Sequence, residues 1–362
     1  MQGRELALER RFPGLAGRLD RFPLTALPTP VHPLRELGRA VGIERLWVKC
    51  DDQSGHLYGG NKPRKLEFLL GAALRRKRRA LLTFGGLGSH HALATTIAAR
   101  AAGLRAILVL VPQPMTEHVR RVLLLDHAYG AELHYAPTLP RAAATTLGLL
   151  VREALRGTAP VVIPVGGSSA TGTIGYVNAA LELAEQVRAG EVPEPDVVFV
   201  PIGSGGTAAG LVLGLALAGM RSRVVGVLVT DILPPTMARV ARLARASLRV
   251  LRRLAPEVPL VTPRASDLVI VTGQVGPGYG APTPAAEAAA RLIEEREGIR
   301  LETTYTAKCL AALLEAARQP PYRDQTLLFW NTYSSVDPAV GVGEIPDASD
   351  LPRPFRHLLA AP

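Results

Sequence analysis

Residues 58–65 read Tyr-Gly-Gly-Asn-Lys-Pro-Arg-Lys, a glycine turn that delivers a lysine to the start of a helix. Pro63 suits the first helical position, because its missing N–H would be unpaired there anyway. The apolar residues beyond it recur at the spacing of one buried helical face: Leu66, Leu69, Leu70, Ala73 and Leu74. Lys62 precedes the proline, which biases it away from helical dihedral angles, and it is predicted to lie at the helix cap.

This placement of Lys62 predicts unusual chemistry. The positive end of a helix dipole disfavours a second positive charge, so we expect the dipole to favour the neutral form of Lys62 by lowering the pKa of its amine. A neutral lysine can attack a carbonyl group and form a Schiff base. Taken alone, however, the octet is better explained as a glycine turn with two solvated basic residues, because surface lysines are far commoner than catalytic ones. The rest of the chain changes this balance.

Length and composition indicate a globular protein. The chain has 362 residues, of which 48% are hydrophobic and 20% charged, enough for two domains with their own cores. No apolar run reaches the ~18 residues that a membrane span needs, and residues 1–5 lack the apolar core of a signal peptide. Cys50 and Cys309 are too few for a disulfide framework or a metal site. These features predict a soluble cytoplasmic protein with neither a metal nor a membrane partner.

The net charge of +11 is concentrated in two clusters. Residues 75–79, Arg-Arg-Lys-Arg-Arg, close the first helix, where cations complement the negative end of the dipole. Six arginines between 239 and 253 recur mostly at three- and four-residue steps, as on the outer face of an amphipathic helix. Neither cluster has interleaved aromatic residues on which bases would stack. Solvated faces are therefore favoured, and nucleic-acid binding is the weaker alternative.

Strands and helices alternate from residue 46 onward. The predicted strands are residues 46–50, 80–84, 106–111, 132–135, 161–165, 197–202, 224–229, 268–271 and 326–330. Helices are predicted at residues 90–102, 116–127, 140–156 and 173–188, and along an apolar segment after residue 207. This alternation predicts an α/β protein whose parallel sheets are covered on both faces.

Two glycine-rich loops each join a predicted strand to a helix. In residues 203–207, Gly-Ser-Gly-Gly-Thr, backbone N–H groups converge at a helix N-terminus, which suits a single phosphate. Ala208 stands where the dinucleotide pattern requires glycine. In residues 85–89, Gly-Gly-Leu-Gly-Ser, the serine is a natural N-cap, and spare N–H groups there can hold a substrate carboxylate. The alternative for each loop is a plain capped turn.

Two tyrosines and two histidines complete the candidate chemistry. Tyr279 lies in a glycine- and proline-rich loop, and Tyr305 begins a helix; a tyrosine pair near a reactive carbon can act as acid or base. Buried tyrosines more often only donate hydrogen bonds. His90 and His91 lack the companion ligands of a metal site. Together, a Schiff-base lysine, a one-phosphate loop and a carboxylate-binding loop suit pyridoxal phosphate acting on an amino acid.

The motif around the lysine also matches a known family. Residues 59–67 carry its pattern Gly-Gly-Asn-Lys-x-Arg-Lys-Leu-Glu, and Ser89 follows Lys62 by 27 positions. The sequence resembles the pyridoxal-phosphate enzymes of the tryptophan-synthase-β fold (fold type II). Within them it is similar to the branch that contains D-cysteine desulfhydrase and aminocyclopropane-carboxylate deaminase. The resemblance runs from about residue 20 to residue 335, and it includes residues 166–177.

The resemblance implies an architecture. We expect two three-layer α/β/α domains with mostly parallel twisted sheets, the smaller domain being inserted in the larger. The large, cofactor-binding domain would comprise residues 1–65 and 173–362, and the small domain residues 66–172. A homodimer is likewise an expectation from the family.

The resemblance also implies a site and a reaction. Lys62 would form the Schiff base with pyridoxal 5'-phosphate and later take the α-proton of a small amino-acid substrate. The residues implied as catalytic are Lys62, Ser89, Tyr279 and Tyr305. Those implied to bind the cofactor are Asn61, Lys62, His90, Gly203, Ser204, Gly205, Gly206, Thr207, Thr306 and Thr332. Loss of a β-substituent would then yield a 2-oxo acid and ammonia.

Four positions bear on the substrate. The deaminases place a glutamate after the second tyrosine and a leucine in the late strand-end motif, whereas this chain has Thr306 and Thr332. A hydroxyl facing the pyridine nitrogen leaves the ring uncharged, which favours α,β-elimination as in the desulfhydrases. Two departures concern D-cysteine itself, because His90 stands where the family has asparagine and Tyr333 where it has glycine.

Three alternatives remain open. The first is a different pyridoxal-phosphate reaction, either deaminase-like or on a specialised amino acid. The second is a non-catalytic relative that binds the cofactor, which the retention of Ser89 and both tyrosines disfavours. The third is a nucleotide-dependent oxidoreductase, which the missing dinucleotide pattern disfavours.

Overall fold

The computed structural model describes residues 4–232, 234–320 and 322–360. Residues 1–3, on which the prediction about a signal peptide partly rests, lie outside these ranges. The strands are β1 (Val31–Pro33), β2 (Leu46–Cys50), β3 (Ala80–Gly86), β4 (Arg105–Val111), β5 (Glu132–Tyr135), β6 (Val161–Val162), β7 (Val197–Ile202), β8 (Arg223–Leu228), β9 (Leu268–Val271) and β10 (Leu327–Asn331). The helices are α1 (Ala7–Arg11), α2 (Arg35–Val41), α3 (Asn61–Arg75), α4 (His90–Ala101), α5 (Glu117–Ala128), α6 (Leu139–Leu155), α7 (Ala170–Arg188), α8 (Gly206–Ala218), α9 (Met237–Leu254), α10 (Pro284–Glu297), α11 (Thr306–Ala316) and α12 (Arg353–Ala360).

In the described residues, six strands form one sheet in the order β1-β2-β10-β7-β8-β9. Its neighbouring strands are parallel, except that β1 and β2 are antiparallel. β10 lies inside the sheet, where Phe329 pairs with Val48 of β2 on one side and with Phe199 of β7 on the other. Because the carboxyl ends of parallel strands meet at one edge, the loops that follow β2, β7 and β10 converge there.

Four strands of the described chain form a second sheet in the order β5-β4-β3-β6, and all its pairings are parallel. Its strands come from one continuous stretch between residues 80 and 162. The predicted strand over 161–165 is shorter in the structure, because only Val161–Val162 pairs. Pro164 has no N–H to donate to a neighbouring strand, and the chain turns into a short 3₁₀ helix at Val165–Gly167.

Each sheet is covered on both faces. In the six-stranded sheet, Val198 packs in a core with Leu211 of α8, whereas its neighbour Phe199 packs on the opposite face with Leu310 of α11. Successive strand residues point to opposite faces, which explains this alternation. In the four-stranded sheet, Leu81 packs in the core that contains α4 and α5. Its neighbour Leu82 packs toward α6. The predicted α/β class with mostly parallel sheets is confirmed.

Helix α3 starts earlier than the sequence indicated. Gly60 is its N-cap with φ of 79°, and the helix begins at Asn61, so Lys62 lies in the first turn and not at the cap. Pro63 is the third helical residue, where its missing N–H still costs no intrahelical bond. A Cβ atom on Gly60 would lie 2.5 Å from the carbonyl oxygen of Thr332. This close approach fixes the lysine turn against the end of β10.

The predicted division of the chain stays a prediction in its bounds, which fall inside α3 and α7. One part of the structure differs from it, because Phe355 of α12 packs in the core of the four-stranded sheet. Its ring lies 6.0 Å from that of Tyr135 of β5, between ring centres. The prediction had assigned the whole of 173–362 to the large domain, since no short-range signal shows where a late amphipathic helix will dock.

The arginine-rich helix and the apolar helix have the predicted faces. In α9, Val240, Leu248 and Leu251 are buried while Arg242 and Arg245 are exposed. In α8, all but two residues are buried, as its apolar character all round requires. Within residues 4–232, 234–320 and 322–360, no helix combines the length and the apolar character needed to cross a bilayer.

Candidate active site

The lysine turn faces a pocket at the carboxyl edge of the six-stranded sheet. The residues that line this pocket come from the loop after β2, α3, α4, the segment before α11 and the loop after β10. They are Tyr58, Lys62, His90, Glu302, Tyr305, Thr332, Tyr333 and Ser334. The backbone N–H of Asn61 donates to the Thr332 carbonyl oxygen at 3.2 Å, which ties the start of α3 to the end of β10.

The environment of Lys62 lowers the charge on its amine. Burial lowers the pKa of Lys62 from 10.5 to about 8, and the nearby Glu302 carboxylate opposes this shift. The direction agrees with the prediction, and burial is the largest cause of the lowered pKa. The Nζ atom lies 5.4 Å from the centre of the Tyr305 ring. A lysine with a pKa of about 8 is partly neutral at physiological pH, as a Schiff-base lysine must be.

The two predicted tyrosines meet. Tyr305 Oη donates a 2.7 Å hydrogen bond to Tyr279 Oη, with the rings edge to face. The Tyr279 backbone N–H is held at 2.9 Å by the Asp231 carboxylate, which fixes the loop that carries it. Burial raises the pKa of both phenols, so both remain protonated near neutral pH and can donate a proton.

The loop at 203–207 forms a small cradle at the start of α8. Gly205 adopts φ of 90°, a conformation that glycine allows. Ser168 Oγ contacts Ser204 Oγ at 2.7 Å and accepts the Gly206 N–H at 3.1 Å. Asn61 Nδ2 donates to Thr207 Oγ1 at 3.2 Å, which connects the lysine turn to the loop.

Lys65 is a residue of this site that the sequence analysis missed. Its side chain is buried, and Nζ donates to the Gly166 carbonyl oxygen at 3.1 Å. Gly166 in turn approaches the loop at 203–207, since a Cβ on it would lie 2.4 Å from Ser204 Oγ. Burial and, to a smaller extent, the charge of Lys62 together lower the pKa of Lys65 to about 7. Its position three residues after Lys62 puts both lysines on one helix face, but that spacing does not show that Lys65 is buried.

These residues fit a phosphate-bearing cofactor. Within the part of the chain that the structure describes, Lys65 has no carboxylate as a hydrogen-bond partner, although a buried ammonium ordinarily requires an anion. The Oδ1 atom of Asn61 is buried and has no hydrogen-bond partner within the described part of the chain. A phosphate at the 203–207 loop would supply the anion for Lys65. A hydrogen-bond donor of the cofactor beside Lys62 would give Asn61 Oδ1 the partner that it lacks.

Ser89 and Thr306 have local partners. Ser89 Oγ accepts the Ala92 N–H at 3.3 Å and caps α4, as predicted, and the side chain is not among those that line the pocket. The Thr306 hydroxyl donates to the Glu302 carboxylate at 3.0 Å. Their proposed contacts with substrate carboxylate and pyridine nitrogen stay predictions. Thr332 does line the pocket.

Glu302 and Gln113 are further residues that sequence reasoning missed. The Glu302 carboxylate accepts the backbone N–H groups of Thr304, Tyr305 and Thr306 at 2.7–3.0 Å, so it caps the start of α11 while facing Lys62 across the pocket. Gln113 Oε1 accepts the Gly88 N–H at 3.1 Å and thus orders the predicted carboxylate loop. An acidic residue ahead of a helix is a recognisable cap, but its contact with a remote lysine is not.

The two departures from the family pattern lie together. The His90 ring meets the Tyr333 ring edge to face, 5.5 Å between centres. His90 Nδ1 lies 2.6 Å from Tyr58 Oη, and its Nε2 lies 3.0 Å from His118 Nε2. Burial lowers the pKa of His90 well below its usual value, so the ring is neutral. Within the described residues, no cluster of three or more potential metal ligands occurs.

This fold and this lysine-centred pocket define a cofactor-dependent enzyme, and comparison with known families identifies the cofactor. Residues 23–332 match the family model described as "Pyridoxal-phosphate dependent enzyme". The chain therefore belongs to the pyridoxal-phosphate dependent enzyme family, and it is a lyase or deaminase that uses pyridoxal 5'-phosphate. The predicted family and cofactor are confirmed.

Individual relatives support the same placement. The chain is 34% identical over 321 residues to D-cysteine desulfhydrase of Klebsiella pneumoniae (strain 342), across 87% of this chain and 94% of the relative. A solved structure described as an ACC deaminase homologue superposes with a TM-score of 0.77 at 32% identity, covering 89% of this chain and 94% of the other. The solved structure of a threonine deaminase from T.th. shares the fold, with a TM-score of 0.59 at 23% identity, covering 91% of this chain and 98% of the other.

Proposed function

We propose that this enzyme catalyses α,β-elimination on a small amino acid with a β-thiol, D-cysteine being the first candidate, to give a 2-oxo acid, ammonia and sulfide. The observation that carries the proposal is the position of Lys62 beside the hydrogen-bonded Tyr305–Tyr279 pair. The pocket thus presents a partly neutral amine and two protonated phenols. A relative named D-cysteine desulfhydrase, 34% identical, supports the choice of substrate.

The residues divide the work by position. Bound pyridoxal phosphate supplies an electron sink that stabilises negative charge at the α-carbon of an amino acid. Lys65, Asn61 and the loop at 203–207 would hold its phosphate, because they offer a cation and converging N–H groups. His90, through its contact with the lysine turn, and Thr332 would border the ring. Thr306, whose hydroxyl is neutral, would face the pyridine nitrogen.

The proton transfers follow from the same geometry. Lys62 Nζ would accept the α-proton, since its pKa of about 8 leaves part of the amine free. The Tyr305–Tyr279 pair would give a proton to the departing thiolate, because burial keeps both phenols protonated. The loop at 85–89, ending at Ser89, would hold the substrate carboxylate with its backbone N–H groups.

The first experiment is the visible absorption spectrum of the purified protein, before and after borohydride, with mass spectrometry of the reduced peptide. We expect a visible band that disappears on reduction and a pyridoxyl mass on Lys62. D-Cysteine added to an untreated sample should release sulfide and pyruvate together. The variant Lys62→Ala should show neither the band nor sulfide release. An unchanged visible spectrum in that variant would overturn the assignment of Lys62.

The competing reaction is that of an aminocyclopropane-carboxylate deaminase, suggested by the solved structure with that description in its title. Thr306 and Thr332, in place of glutamate and leucine, favour elimination over opening of a cyclopropane ring. Parallel assays with D-cysteine and aminocyclopropane-carboxylate separate the two. Bound cofactor with turnover of the cyclopropane alone would replace our proposal, and bound cofactor with no turnover of any amino acid would indicate the non-catalytic relative.

Assembly and location complete the proposal. The family resemblance implies a homodimer, and the composition of the chain predicts a cytoplasmic location. Sedimentation velocity at micromolar concentration would test the dimer, for which we expect twice the 38.5 kDa mass of one chain. Fractionation of cells that express the full chain would test the location.

A further inference from the structure

A chain of three side chains connects the pocket to the protein surface. Tyr58 Oη lies 2.6 Å from His90 Nδ1, and His90 Nε2 lies 3.0 Å from His118 Nε2. Tyr58 and His90 line the pocket beside Lys62, whereas His118 is exposed on α5. The two imidazole rings are 4.8 Å apart between centres. Each donor–acceptor distance is that of a good hydrogen bond.

We propose that Tyr58, His90 and His118 form a proton relay that exchanges protons between the active-site pocket and solvent. This rests on the proposed function, because elimination of a thiol requires the pocket to be supplied with protons. The residues assigned to the reaction itself, Lys62 and the Tyr305–Tyr279 pair, keep their roles. The relay would restore the proton that the departing thiol removes from the tyrosine pair.

The geometry allows two arrangements of the protons. In the first, Tyr58 O–H donates to His90 Nδ1, and His90 Nε2–H donates to His118 Nε2. In the second, His118 Nε2–H donates to His90 Nε2, His90 Nδ1–H donates to Tyr58 Oη, and the Tyr58 O–H turns into the pocket. In both arrangements every ring is neutral and every hydrogen bond is satisfied.

The transfer balances. Tyr58 gives its O–H proton, through pocket water, to the tyrosinate that the departing thiol leaves behind. Tyr58 then takes the Nδ1 proton of His90, His90 takes the Nε2 proton of His118, and His118 is recharged at its exposed ring by bulk water. The transfer starts from the second arrangement and leaves the first, so one proton enters from solvent for the proton that leaves with the thiol, and the return of both imidazole tautomers resets the relay for the next turnover.

The surroundings of His90 favour a neutral imidazole that passes a proton on over an imidazolium that holds one. Its ring is half-buried, and desolvation, the ring of His118 and the ammonium of Lys62 all disfavour an imidazolium there. The other titratable or charged groups that face the chain are Glu302 and Tyr333 from the pocket and Asp126 and Arg121 from α5. A neutral ring with both nitrogens engaged can pass a proton in concert, whereas an isolated asparagine at this position could not accept one.

The first test reads the hydrogen bonds without using activity. The full chain, labelled with ¹⁵N in histidine, is studied by long-range ¹H–¹⁵N NMR before and after cofactor loading. We expect a neutral His90 in both samples. Tyr58→Phe should move mainly the Nδ1 resonance of His90, and His118→Ala mainly its Nε2 resonance. A His90 ring that is unaffected by both substitutions would overturn the relay.

The second test measures turnover. His118→Ala should lower kcat by about 10²-fold, the usual contribution of a general acid–base group, while KM and the visible spectrum stay unchanged. Added imidazole, which fits the space vacated by the ring, should restore a large part of kcat. The control His127→Ala, on the same helix, should match wild type with and without imidazole.

The outcomes separate the relay from the proposed function. Wild-type protein that binds no cofactor or releases no sulfide would defeat the proposed function, and the NMR test would still decide the hydrogen bonds. Wild-type activity with a His118→Ala variant of unchanged kcat would defeat the relay alone. Loss of kcat that imidazole does not restore would assign His118 a structural role and would also overturn the relay.

Discussion

The Nζ atom of Lys62 lies 5.4 Å from the centre of the Tyr305 ring, and the Tyr305 hydroxyl reaches Tyr279 at 2.7 Å. The ring and the hydroxyl of Tyr305 therefore have different contact partners. The ring borders the lysine and shields it from water, whereas the hydroxyl joins it to a second phenol. Substitutions that remove only the hydroxyl can separate the two contributions.

Tyr305→Phe and Tyr279→Phe should each leave the visible spectrum of the enzyme unchanged, because the ring beside Lys62 is kept. Each should lower kcat by about 10²-fold or more, as expected when a general acid is lost. The double variant should lose scarcely more than either single one, since the two phenols act as a unit. Tyr322→Phe, which lies against Phe199, is the matched control. Wild-type kcat in both single variants would contradict the assignment.

Lys65→Met should weaken the binding of pyridoxal phosphate by at least about tenfold, because a hydrogen bond to a charged group contributes about 1.5–3 kcal/mol. Fluorescence titration of the cofactor-free protein measures this loss, with pyridoxal lacking the phosphate as the comparison ligand. We expect the variant to lose the preference for the phosphorylated form. A preserved preference would place the phosphate elsewhere.

Lys65→Met should weaken cofactor binding, but it should stabilise the cofactor-free protein against unfolding. The pKa of Lys65 in the folded protein is about 7, below its ordinary 10.5, so the unfolded chain binds more protons between these values. Burial of the ammonium therefore costs stability below about pH 7, and the cost fades as the pH rises toward 10.5. Without cofactor, Lys65→Met should thus raise the unfolding temperature at about pH 6.5 more than at about pH 9.

Gly60→Ala should destabilise the protein and disturb the start of α3. The residue has φ of 79° and ψ of −163°, a glycine-only region that costs an alanine about 1–3 kcal/mol, and the new Cβ would lie 2.5 Å from the Thr332 carbonyl oxygen. Gly103→Ala is the matched control, because its φ is 67° and its Cβ would meet no atom within 4 Å. Denaturant unfolding should show a larger loss for Gly60→Ala. Equal losses would mean that the collision is relieved at no cost.

Glu182→Gln tests the buried ion pairs behind the lysine helix. Glu182 Oε1 accepts from Lys49 Nζ at 2.6 Å and from Arg64 Nη2 at 2.9 Å. Although burial raises its pKa, these two cations lower it to about 2. Because this lies below the ordinary 4.5, the stabilisation is complete above about pH 4.5 and is lost as the pH falls through 2.

The expected loss for Glu182→Gln is about 3–5 kcal/mol of unfolding free energy near neutral pH, since one partner of a buried pair is removed. The difference from wild type should shrink as the pH falls from 4.5 toward about 2. Glu185→Gln removes a surface pair with Arg10 and should cost about 1 kcal/mol or less. A loss for Glu182→Gln that does not change with pH would show that the charge is unimportant.

Much of the fold could be predicted because its signals are local. The strands over 132–135, 197–202 and 268–271 have the predicted bounds, since short apolar runs flanked by turn residues leave little choice. The predicted start of α3, Pro63, is wrong by two residues, because the helix begins at Asn61. Gly60 adopts φ of 79° and ψ of −163°, which glycine readily allows, so the helix can begin at Asn61, and a proline is tolerated within the first turn.

The parts of the candidate site that lie in short sequence motifs could be predicted. Lys62, the loop at 203–207 and the tyrosine pair were predicted from residue type and spacing, and the structure brings them to one edge of the sheet. Lys65 and Glu302 were missed because their importance arises from burial and from a contact across the pocket. The meeting of His90 with Tyr333 depends on long-range packing between α4 and the end of β10, which no spacing in the sequence encodes.

Because β10 lies inside the six-stranded sheet, that sheet can be completed only after β10 has been synthesised. β10 begins at residue 327, yet it separates β2 from β7 and so joins two parts of the sheet that were synthesised much earlier. All four strands of the second sheet precede residue 163, so a nascent chain can pair them first, although Phe355 joins their core later. The turn that carries Lys62 acquires its final shape only when Thr332 arrives against Gly60. Lys62 therefore reaches its final surroundings only after residue 332 has been synthesised, later than the pairing of the four-stranded sheet requires.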